Sequence, residues 1–192
     1  MMNAKIPLAL LFLAAPVLSQ PVLSQPVLNQ AVLSQAEPLA FDALLNGVEE
    51  KCRYSPKLHY LLSNLSQLGD EALTAESGAL TPAQYFPEAL REAIRESGIE
   101  HDKDRRTIRI RVDGTWQGVG LEALIYVHGI DTGIQVLAIE FSGPVENVLT
   151  LFLDKAFQSA RDLAANPDSE FEVSTGLSYS SGRLRYYCDL SV

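Results

Sequence analysis

His128 and Asp131 lie three positions apart, an imidazole and a carboxylate close enough along the chain to act as an acid–base pair. A hydrolase built on them would use the two together. The usual companions of such chemistry are missing. Gly176-Leu177-Ser178-Tyr179-Ser180 lacks the last glycine of a nucleophile elbow. There is no S-x-x-K, no phosphate-cradling glycine loop, no dinucleotide fingerprint and no H-E-x-x-H. His59 has no second histidine three or four residues away, so no metal site and no cofactor are expected.

Asp131-Thr132-Gly133 resembles the D-T-G with which aspartic proteases present one of two carboxylates that share a proton. Only one copy is present, so a dyad would need two chains. The following residues, IQVLAIEF, continue as a strand where that family places Ala or Ser. With Gly129 and Gly133 on either side, the motif reads as a hairpin turn.

A second set of residues suits binding better than catalysis. Arg109, Arg111, Arg183, Arg185 and Tyr187 fall at alternate positions of strand-like runs, and Tyr126 and His128 are expected to share their face. Arginine and tyrosine are the residues that most often anchor protein interfaces. The formal charge is −9, and it becomes −10 if residues 1–36, whose only charge is Lys5, are removed. That balance argues against nucleic acid, which needs a positive surface, and leaves another protein, a basic one by charge, as the expected partner.

The elements that would position these residues are legible as alternating patterns. From Thr107 to Phe141 three strands are predicted. In the first, Ile108, Ile110 and Val112 alternate with Thr107, Arg109 and Arg111, and Asp113-Gly114 reads as the turn that follows. The second runs over about Val119–His128, with Val119, Leu121, Ala123, Ile125 and Val127 on one face and Glu122, Leu124, Tyr126 and His128 on the other. The third, Ile134–Phe141, is apolar on both faces, so these two strands should be central, covered on both sides or met by a partner. A helix is predicted over about Val145–Leu163, ended by Asn166-Pro167. Two further strands follow, one through Phe171–Tyr179 and one through Arg183–Leu190, joined at Ser181-Gly182.

Three helices precede the sheet in this reading: Pro38–Cys52, a second beginning at Ser55-Pro56 and stopping at Gly69, and a third over Pro87–Ser97. Asp70–Pro82 reads as a loop. The predicted order is ααα-βββ-α-ββ, a single α+β domain with an antiparallel sheet of about five strands and helices packed on it. Residues 37–100 would be its helical part and 107–192 its sheet part. Cys52 and Cys188, the only cysteines, are expected to form one disulfide that places the first helix over the face of Leu184 and Tyr186.

Residues 1–36 read as an export signal. Lys5 precedes an apolar run, Ile6–Ala15, too short to cross a bilayer as a helix. Four pentapeptides follow, PVLSQ, PVLSQ, PVLNQ and AVLSQ, and Ser34-Gln35-Ala36 offers small residues at the positions that signal peptidase accepts. A soluble periplasmic chain, cleaved near Ala36 and without a stable membrane anchor, is expected. Its expected function is non-enzymatic binding, as an inhibitor or immunity protein neutralising a secreted antibacterial toxin or hydrolase. The alternatives are a periplasmic hydrolase using Asp131 and His128, and a carrier of a small apolar ligand.

Overall fold

The computed structural model describes residues 38–74, 82–165 and 173–192. The export reading of residues 1–36, the Asn166-Pro167 helix stop and Phe171 lie outside them. Among the described residues seven strands, β1 (Leu39–Ala40), β2 (Ile94–His101), β3 (Arg105–Trp116), β4 (Val119–Gly129), β5 (Gln135–Phe141), β6 (Ser174–Ser180) and β7 (Arg183–Asp189), form one sheet. Its order is β1-β3-β4-β5-β7-β6, with β2 also on β3. All pairings are antiparallel except that of β1 with β3. Three α-helices among the described residues, α1 (Asp42–Leu45), α2 (Pro56–Thr74) and α3 (Val145–Ala164), accompany the sheet. The mixed α+β domain with an antiparallel core is as expected; the strand count and order are not.

The first correction lies in the helical part. The predicted third helix, Pro87–Ser97, is a 3-10 segment, Glu88–Ala93, followed at once by β2. Its alternating charges find partners across the sheet instead of along a helix: Arg95 bonds Asp113 at 2.6 Å and Glu96 meets Arg111 at 3.4 Å. The edge of β3 needs a partner, and that pairing outweighs local helix propensity. The predicted first helix shrinks to α1, because Gly47, Lys51 and Cys52 adopt positive φ and turn the chain. Phe41, Leu44, Leu45, Val48 and Cys52 are nevertheless all buried. α2 begins as read, with the Leu58 N–H donating to Ser55 Oγ at 3.1 Å. It runs through Gly69 to Thr74, so the start of the predicted loop is helical.

The second correction concerns the turn after the first predicted strand. Asp113 and Gly114 lie within β3, and the chain reverses at Gln117-Gly118, where both residues have positive φ. Gly114 is there for close approach: a Cβ on it would sit 2.5 Å from the Leu39 carbonyl oxygen and from the Phe41 ring. Ser181-Gly182 is a reversal of the same kind, as expected.

Cys52 and Cys188 are bonded, closing 136 residues. All three helices contribute to the core on this side of the sheet. Leu58, Leu61, Leu62 and Leu65 of α2 and Val148, Phe152 and Ala156 of α3 share one cluster with Ile108, Ile110, Leu137, Ile139, Tyr186 and Cys188. Trp116 centres the α3 end, 4.5 Å from Phe152 and 5.8 Å from Tyr186 between ring centroids. Leu137 and Phe141, beside which a small apolar ligand would sit, are buried in this same cluster. The opposite face carries no helix among the described residues.

Candidate functional site

The two faces are sorted by register. Pairing sets Ile110 opposite Leu124, Ile108 opposite Tyr126 and Tyr126 opposite Leu137, all on the helical side. β4 carries a bulge between Leu121 and Ala123, which turns the alternation over partway along the strand. Ala123, Ile125 and Val127 therefore face away from the helices, while Leu124, Tyr126 and His128 face them. This corrects the predicted side of Tyr126 and His128. The Tyr126 hydroxyl lies 3.0 Å from Ser66 Oγ on α2, and its ring is 6.1 Å from that of His128.

Arg109, Arg111, Arg183, Arg185 and Tyr187 do share the outer face. One row across it reads Gly98, Arg109, Ile125, Ala138, Tyr187, Gly176 from β2 to β6. The neighbouring row reads Glu96, Arg111, Ala123, Glu140, Arg185, Ser178. The Tyr187 ring lies against Gly176, where an added Cβ would meet it at 3.2 Å.

Glu140, which the sequence reading passed over, organises the face. Its carboxylate is fully buried and accepts from Arg109 Nη2 at 2.5 Å and from Arg185 Nε at 2.7 Å, with Arg183 Nη1 at 3.3 Å. Arg183 and Arg111 each reach Glu122 at 3.0 Å, which joins the four arginines into one network. Burial alone would raise the Glu140 pKa; the hydrogen bonds and charges of Arg109 and Arg185 outweigh it and hold the group below its ordinary value. The signal was present in the sequence: one acid in the otherwise apolar run VLAIEF, opposite strands that alternate arginines.

The arrangement is suited to recognition. Four guanidinium groups are held in place before any partner arrives, so less side-chain freedom is lost on binding. Arg111 and Arg183 keep about half their side-chain surface exposed, 50% and 42%, and have donors left for carbonyl or carboxylate groups.

Asp131 and His128 are not assembled as an acid–base pair. Asp131 is exposed at the β4–β5 connection with positive φ, and the Gly129 N–H donates to the Ile134 carbonyl at 2.8 Å across the turn. His128 points to the helical side, its Nδ1 buried without a hydrogen-bond partner. Burial first, and then the Arg106 charge, lower its pKa from 6.5. A polar cleft of about 670 Å³ lies between the 49–53 turn and α3, lined by ion pairs such as Lys51–Asp162. Among the described residues no group of three His, Cys, Asp or Glu is placed to hold a metal ion, and no helix is long and apolar enough to cross a membrane.

No protein-family model, curated protein or solved structure matches this chain.

Proposed function

We propose that this chain is an exported, non-enzymatic binding protein that holds another protein against the outer face of its sheet. It would act as an inhibitor or immunity protein against a secreted antibacterial toxin or hydrolase. One observation carries the reading: α2 and α3 both contribute to the core on the disulfide side, leaving the other face with a preformed arginine–glutamate network and Tyr187. A face meant only for water would not need a fully buried carboxylate fixing three guanidinium groups. Partner acceptors for Arg111 and Arg183 would supply orientation, while Ala138 and Tyr187, both half-buried, would supply the apolar contact. For the hydrolase and carrier alternatives there is no comparable support: Asp131 is exposed on its turn, His128 Nδ1 is buried without a hydrogen-bond partner, and Leu137 is buried in the core cluster.

Affinity capture from envelope extracts, with the mature protein as bait, tests the reading. A stoichiometric protein partner, lost when Arg111 and Arg183 are both changed to alanine, is the expected result. Recovery of no partner, or of one held equally by the double variant, would overturn it.

A further inference from the structure

The two edges of the sheet are built differently. β2 carries Arg95, Glu96, Glu100 and His101 and a register shift between Ile94 and Glu96, all devices that discourage pairing with another chain. β6 reads STGLSYS, seven residues without a charge or a proline, and ends the strand order with no further partner among the described residues. An edge left so open is a template for strand addition.

The helical layer continues the same edge. Lys155, Gln158 and Asp162 of α3 line the cleft with the 49–53 turn, so the opposite flank of α3 overhangs β6. After Glu146 in its first turn that flank is apolar: Leu149, Leu153 and Phe157 recur every fourth residue, half-buried, 37% and 62% exposed in turn. Thr175, Leu177 and Tyr179 of β6 pair with Cys188, Tyr186 and Leu184, which puts them on the helical side, and Tyr179 is 65% exposed. An uncharged strand edge and an exposed apolar helix flank therefore form one ledge.

We infer that this ledge binds a second copy of the chain. Two copies at −9 repel each other over most of their surface, so they can meet closely only where the contact carries no charge, and β6 is such a place. Antiparallel pairing of β6 with its own copy, about a two-fold axis perpendicular to the sheet, keeps both helical layers on one side. The α3 flanks then meet across the axis, with Phe157 against apolar surface instead of water. A seven-residue edge is roughly 24 Å long, and a sheet plus one helical layer is about 20 Å thick. Together these give about 500 Å² per copy, or about 1,000 Å² in all, at the lower limit of specific interfaces. The dimer is accordingly reversible. It joins the two outer faces into one surface, but it does not depend on what that surface binds.

The test is sedimentation velocity of the purified protein over a micromolar concentration series, with hydrogen exchange of the β6 amides in parallel. The mass should double as concentration rises, and β6 amides should slow at least tenfold over the same range. Phe157→Glu with Tyr179→Lys, both at exposed positions, should keep the monomer mass and an unchanged melting temperature. A wild-type protein that stays monomeric, a dimer that survives the double substitution, or β6 amides indifferent to concentration would each overturn the inference. So would a β6 edge protected only by a different protein.

Discussion

Glu140 decides more about the outer face than any arginine on it. A buried carboxylate with three guanidinium partners resists removal because the groups left behind were positioned for it. Glu140→Gln should lower unfolding stability by about 2 kcal/mol in denaturant titration, with Arg109 and Arg185 losing their fixed geometry. The pH dependence follows from two groups shifted in the same direction. His128 is held below its ordinary 6.5 and Glu140 below 4.5, so the unfolded chain binds protons that the folded one does not. Both contributions are complete above those ordinary values and are lost as pH falls through the folded ones. Stability should therefore begin to fall below about pH 6.5 and fall further below about pH 4.5. His128→Gln should remove the first part only, as read by chemical denaturation at a series of pH values.

At the scale of elements, the strands of the arginine face and the β6 edge were legible, and the edge made by β1 and β2 was not. Alternation placed Arg109, Arg111, Arg183, Arg185 and Tyr187 together because each sits on a run of period two with an apolar opposite side. The same logic failed for Tyr126 and His128, since a bulge adds a residue without leaving a mark in an apolar strand. It failed for β2 because alternating charges serve a helix surface and a strand edge equally well. It misplaced a turn because Asp113-Gly114 has turn chemistry, while Gly114 is needed for the approach of Leu39 and Phe41. That difference is measurable. Gly114→Ala should cost about 2–3 kcal/mol through collision with backbone and ring. Gly118→Ala has open space but a φ of +79° and should cost about 1 kcal/mol. Equal effects would return the turn to Asp113-Gly114.

For the whole molecule, the disulfide and the placement of the helices matter most. The bond between Cys52 and Cys188 was readable from count and context, and it ties the 46–53 turn to β7 beneath α3. In the loop-closure model a 136-residue loop corresponds to about 5 kcal/mol, a large share of a domain's stability. Replacing both cysteines with serine should lower the melting temperature sharply while leaving the outer-face network in the fraction that remains folded. Which side of the sheet α3 covers was not legible, because an amphipathic helix after β5 can pack on either face. Its position on the disulfide side leaves the other face uncovered among the described residues. The most direct test of that face as a binding surface compares two variants against the partner recovered by capture. Arg111→Glu with Arg183→Glu alters the outer face, and Lys57→Glu alters the exposed start of α2. Titration calorimetry should show the first weakening binding at least tenfold and the second leaving it unchanged; equal affinity for both variants, with both melting normally, would contradict it.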